Sequence, residues 1–136
     1  MDNDTLKKPG ALSLLEIQRA LNAQLLVGED KLHHLFRACT GSDLMSDILN
    51  GPTHGVVLLT GLNNIQAVRT SVIAGVAAVV LVRGKQPTRE MIDQARQHGL
   101  PLLCTPLTMF SSCGILFCEG LRGIDRNAPI RLQPAG

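Results

Sequence analysis

With 136 residues, 45% of them hydrophobic, and a formal net charge of +2, the chain holds enough apolar side chain for one domain with its own core and too little length for two. Aromatic residues make up only 2%, with no Trp or Tyr, and lysine and arginine form no cluster; single-stranded nucleic acid is held on stacking platforms along a basic groove, so nucleic acid is not an expected partner. The four cysteines (Cys39, Cys104, Cys113, Cys118) form neither a Cys-x-x-Cys pair nor a zinc ribbon and read as reduced core thiols of a cytoplasmic protein.

Residues 1–11 and 125–136 lack hydrophobic periodicity and are expected as flexible tails around a single folded unit at 12–124. No stretch in Met1 to Gly10 suits a signal peptide, and Glu16 and Arg19 interrupt the apolar residues after it. Leu100 to Cys118 carries no charge, yet Pro101, Pro106 and four hydroxyl side chains argue against a membrane span. The folded unit opens with Ser13-Leu14-Leu15-Glu16, a capping box that predicts a helix from Leu14 to about Asn22. Gln24 to Val27 reads as a strand closed by Gly28, Glu29 to Lys31 as a turn, and His34 to Cys39 as one further strand. Ser42 is placed as the N-cap of a second helix, with Asp43 in its first turn and Leu44, Met45, Ile48 and Leu49 on one face, until Asn50-Gly51-Pro52 stops it.

From there one unit recurs three times: an apolar run, a short elbow, a helix. The runs are Val56 to Leu59, Ala77 to Val82 and Leu102 to Cys104. The helices start near Asn63 (Ile65, Val68, Val72 and Ile73 inward, ending at Gly75), at a Thr88 cap (Met91, Ile92 and Ala95 inward, to Gly99), and near Met109, the last burying Phe110, Cys113 and Phe117. Unbroken Val/Ile/Leu runs are the mark of parallel strands covered on both faces. The pattern predicts a three-layer α/β fold with a mostly parallel sheet of four to five strands flanked by helices. All three elbows should then open at the same sheet edge, which is where such folds bind ligands.

The candidate ligand-binding residues are therefore those of the elbows: Thr60, Gly61, Asn63, Asn64, Arg83, Gly84, Lys85, Thr105 and Thr108. Helix N-termini there present unpaired N–H groups to an anion, with Arg83 and Lys85 adding charge. A phosphate or nucleotide is the expected ligand class, although neither nucleotide-binding glycine fingerprint occurs and no cofactor is implied. The plainer reading, in which Asn63, Thr88 and Thr108 only cap helices, outweighs this on spacing alone. Asp43 and Asp47, four apart, would share an acidic helix face, for which a solvated helix start is the simpler account. His33, His34, His54 and His98 show no ligand spacing and are expected at the surface, and the apolar neighbours of Cys104 should raise its pKa and leave it inert.

The segments Ser42 to Leu49, Gly55 to Gly61, Ala77 to Gly84 and Gly99 to Pro106, together with the opening Leu14 to Glu29, resemble the DRTGG domain family and the related N-terminal domain of HPr kinase/phosphorylase. The pentapeptide that names the family does not occur; Arg83-Gly84 is its loose counterpart. The resemblance implies a small regulatory α/β domain, found alone or joined to CBS domains, phosphotransacetylases and pyrophosphatases, that helps form dimers and in stand-alone form accompanies redox enzymes. The expected function is a non-catalytic regulatory, ligand-sensing or dimerisation module: a homodimer with an enzyme partner and no membrane association. The apolar helix Met109 to Leu121 supplies a separate motive for the dimer. The alternatives are a protein–protein adaptor without a small ligand, and a phosphoryl-transfer enzyme using Asp43, Asp47, Thr60, Arg83 and Lys85.

Overall fold

The computed structural model describes residues 6–125; residues 1–5 and 126–136, which carry most of the two expected tails, lie outside the described residues. Of the expected N-terminal tail, the stretch 7–10 is tied to the end of the last helix, with Lys7 N–H donating to Cys118 O at 2.7 Å and Gly10 N–H to Gly120 O at 3.0 Å.

In chain order the elements are β1 (Leu12–Ser13), α1 (Leu14–Ala20), β2 (Gln24–Val27), a 3-10 turn (Glu29–Lys31), β3 (Leu35–Phe36), β4 (Cys39–Gly41), α2 (Met45–Asn50), β5 (Val57–Thr60), α3 (Ile65–Ala74), β6 (Ala78–Leu81), α4 (Arg89–Gln97), β7 (Leu102–Cys104) and α5 (Met109–Cys118). Five strands form one sheet in the order β2-β7-β6-β5-β4. Strands β4 to β7 run parallel and β2 is antiparallel at the β7 edge, so the mostly parallel sheet holds.

The central strands are buried on both faces because their side chains alternate between two cores. Val57, Leu59, Ala78, Val80 and Leu103 point to the side covered by α1 and α5. Leu58, Val79, Leu81, Leu102 and Cys104 point to the side covered by α2, α3 and α4, where Met91, Ala95, Val68 and Ile48 meet them. Each fully buried Leu or Val contributes about 1.5–3 kcal/mol.

Local chemistry sets most helix ends. The Ser13 and Glu16 side chains both accept in the expected capping box. Thr88 caps α4 as expected, and Gly75, left-handed at φ 76°, ends α3.

Expectations for four elements need correction. His34 to Cys39 is not one strand: Leu35–Phe36 pairs antiparallel with β1 in a small separate ladder, while Cys39–Gly41 joins the main sheet beside β5. That sheet edge is then covered by the chain after α5, where Cys39 N–H donates to Arg122 O at 2.9 Å. Asn64 caps α3, its side chain accepting from Ala67 N–H at 3.0 Å, in place of the expected Asn63; Ile73 in that helix is exposed, not inward. Phe110 and Phe117 on α5 are 88% and 47% exposed, while Ser112 and Leu116 face the sheet. The fourth concerns α2, whose N-cap is Leu44. Ser42 and Asp43 precede it, and of its apolar residues only Ile48 is buried.

Candidate functional site

Because β4 to β7 are parallel, their C-terminal ends share one edge of the sheet, and the four elbows beyond them are laced together along it. The expected three-elbow rim is therefore present, with the β4–α2 elbow as a fourth member.

Asp43, displaced from α2, is the linchpin. Its Oδ1 accepts from Gly61 N–H at 2.6 Å and from the Thr60 hydroxyl at 3.3 Å, and its Oδ2 lies 3.5 Å from the Arg83 guanidinium. One carboxylate thus joins the β4, β5 and β6 elbows. The short charge-assisted bond from Gly61 N–H holds the Asp43 carboxyl below its usual pKa against the opposing effect of burial, with the positive charge of Arg83 and the Thr60 bond adding to the lowering. The Arg83 guanidinium lies over Gly61, where an added Cβ would overlap it and the arginine side chain would have to shift. Asp43 and Arg83 remain 46% and 43% exposed, so both can meet a solute.

Arg83 itself is unusual, with φ 59° and its neighbour Gly84 at φ 69°. A non-glycine residue held left-handed costs about 1 kcal/mol. Two backbone bonds offset it, Arg83 N–H to Leu107 O at 2.7 Å and Gly84 N–H to Thr105 O at 2.9 Å, each contributing about 1 kcal/mol. The same bonds fasten the β6–α4 elbow to the β7–α5 elbow. Asn63 closes the remaining gap by donating from Nδ2 to Gln86 O at 3.1 Å. Lys85 is exposed beside them.

Thr60 at the end of β5 and Thr105 just after β7 use the same device. Each hydroxyl is buried and accepts the N–H two residues ahead, from Leu62 and Leu107, both at 3.2 Å. Thr108 caps α5, accepting from Ser111 N–H at 3.1 Å, and Asn64 caps α3. These caps are satisfied within the chain, so the groups with unused capacity for an anion are the side chains of Arg83 and Lys85.

Asp47 does not join this group. It lies within α2 and lines a separate cleft of about 320 Å³ with Thr40, Gly41, Ser42, Asn50 and Thr53. The expected acidic helix face of Asp43 and Asp47 is absent, because Asp43 precedes the helix and turns its carboxylate to Gly61.

Among the described residues no group of three or more His, Cys, Asp or Glu side chains is placed to hold a metal ion, and the four histidines are exposed. All four cysteines are free thiols. Burial pushes Cys104 up to about 11, as its neighbours implied, and burial with Cys113 nearby does the same to Cys39. No described helix is long and apolar enough to cross a membrane.

The role of Asp43 escapes a reading of the sequence, although one signal is there. Thr40-Gly41 and Thr60-Gly61 are twin Thr-Gly pairs, and the second marks an elbow; the first also ends a strand, which leaves Ser42 and Asp43 in an elbow and not a helix.

The family model described as "DRTGG domain" matches residues 16–116. No curated protein matches the chain. Among solved structures, the chain is similar to the CBS and DRTGG domains of the regulatory region of Clostridium perfringens pyrophosphatase, crystallised with its activator diadenosine tetraphosphate. The TM-score is 0.65 at 15% identity over 77% of this chain, which spans about half (46%) of the length of that structure.

Proposed function

From the premise that this chain belongs to the DRTGG domain family, we propose that it is a non-catalytic regulatory module that senses a small anionic ligand, an adenine nucleotide by preference, at the rim of strand C-terminal ends. The observation that carries this reading is the convergence of four elbows on the exposed Arg83, with Lys85 beside it, at the sheet edge where parallel α/β folds bind ligands. The similar pyrophosphatase region, which binds a diadenosine polyphosphate activator, supports the choice of nucleotide. The ligand signal passes to an enzyme partner, in a cytoplasmic setting that suits four free thiols. The phosphoryl-transfer alternative loses ground because Asp47 lines a cleft with Thr40, Gly41 and Asn50 and takes no part in the contacts among Asp43, Thr60 and Arg83.

The test is a thermal-shift panel of inorganic phosphate, AMP, ATP and diadenosine tetraphosphate. A ligand at a hundredfold excess over its Kd stabilises the folded state by about 2.7 kcal/mol. A specific rise in Tm that Arg83→Ala removes supports the sensor; a flat panel supports the adaptor.

The homodimer belongs to the same proposal. A shallow cleft of about 460 Å³, lined by Phe110, Ser111, Gly114, Ile115, Cys118 and Glu119, lies on the outer face of α5, and a second copy is its proposed cover. Light scattering at micromolar concentration should give twice the chain mass, reduced to one by Phe110→Asp; a monomer in the unmodified protein contradicts it.

A further inference from the structure

The rim is not empty of negative charge, because the chain supplies its own. A phosphate or carboxylate ligand needs a backbone N–H, a hydroxyl donor and a guanidinium arranged around its oxygens. Gly61 N–H, the Thr60 hydroxyl and Arg83 form that set, and the Asp43 carboxylate already fills it at 2.6, 3.3 and 3.5 Å. Resting on the sensor reading above, we infer that Asp43 is a built-in competitor: the ligand takes its place on Arg83 and Gly61 and releases the β4–α2 elbow together with α2.

The two partners of the ion pair are anchored unequally. Arg83 is held by its own backbone and that of Gly84, bonded to Leu107 and Thr105, so the cation stays at the rim when the carboxylate leaves. On the other side, Ser42 N–H stays bonded to Leu59 O at 3.0 Å, which keeps β4 in the sheet and puts the hinge after Ser42. Beyond that hinge α2 is a helix of six residues with Ile48 its one buried side chain. Leu44 and Leu49 are already exposed. Opening α2 withdraws one core side chain, Ile48, and breaks the bond from the Thr53 hydroxyl to Ile48 O at 2.7 Å, and its release changes the surface offered to a partner. The exchange balances in charge type, one anion replacing another on the half-exposed Arg83.

The experiment compares ATP and inorganic phosphate binding by calorimetry in the full chain and in Asp43→Asn, which keeps an acceptor for Gly61 N–H and removes the charge that competes for Arg83. The dissociation constant for ATP is expected to fall by roughly threefold to tenfold in the variant. Binding by Asp43→Asn alone also supports the inference, as a latch too firm for the ligand to open. Equal or weaker binding by the variant overturns the latch and leaves the sensor standing. No binding by either protein removes the sensor and the latch with it. Should Asp43→Asn fail to fold, hydrogen exchange of the unmodified protein with saturating ATP decides. The amides of Asp47 and Ile48, bonded to Leu44 O at 3.1 and 3.2 Å, are expected to exchange faster, and unchanged or slower exchange overturns the inference.

Discussion

Thr60 closes β5 and Thr105 follows β7 along the same sheet edge, and what their hydroxyls donate to divides the rim in two. Both are buried, and both accept an N–H two residues ahead at 3.2 Å. Thr105 donates at 2.6 Å to the carbonyl of Leu21, a buried backbone group beside α1. Thr60 donates at 3.3 Å to Asp43, a half-exposed side chain from another elbow. The first partner has nowhere else to go, while the second can turn to water. One threonine therefore closes the rim permanently at β7, and the other closes it provisionally at β5.

Substitution should expose that difference most strongly at the fixed end. Thr105→Val strands the Leu21 carbonyl and the Leu107 N–H, and is expected to cost about 2–4 kcal/mol in chemical denaturation. Thr60→Val strands one N–H and takes the 3.3 Å bond from a half-exposed carboxylate that keeps Gly61 N–H, Arg83 and water, so about 1–2 kcal/mol is expected. Equal costs at the two sites would erase the distinction between the ends.

Acid titration sharpens the comparison with a smaller effect. Asp43 is held below its usual pKa, chiefly by Gly61 N–H, so its ionised contacts favour the folded state above the ordinary carboxylate pKa of about 4, and that contribution fades as pH falls through the depressed folded value. The stability difference between the unmodified protein and Asp43→Asn should stay constant from neutral pH to about pH 5 and shrink below about pH 4. A difference that grows on acidification would reverse the assignment. The smallest effect should come from Ser112→Ala. Ser112 is buried with its hydroxyl unpartnered among the described residues, so removing it should be neutral or stabilise by up to about 1 kcal/mol in the same denaturation assay.

The fixed parts of the molecule are also the ones easiest to read in the chain. Strands β5 to β7 announce themselves because burial on both faces forbids polar residues for three or four positions in a row, and the Ser13, Thr88 and Gly75 signals bound their helices by local bonding alone. Strand β4 is hidden: at the sheet edge, with Thr40 and Gly41 partly or fully exposed, it carries no apolar run. Helix α5 misleads for the opposite reason. It is apolar on every side, so periodicity could not show that Ser112 and Leu116 face the sheet while Phe110 faces out. Asp43 is ambiguous in kind, since Ser-Asp before an apolar residue suits a helix start as well as an elbow. What decides is a tertiary contact, the amide of Gly61, eighteen residues away.

Mapping ATP onto the amide spectrum of the isotopically labelled chain tests the central claim most directly. The account predicts saturable shifts concentrated at Gly61, Arg83, Gly84 and the Ser42–Leu44 elbow. Shifts centred on α5 or on the Thr40–Asp47 cleft, or no shifts at millimolar ATP, would contradict it.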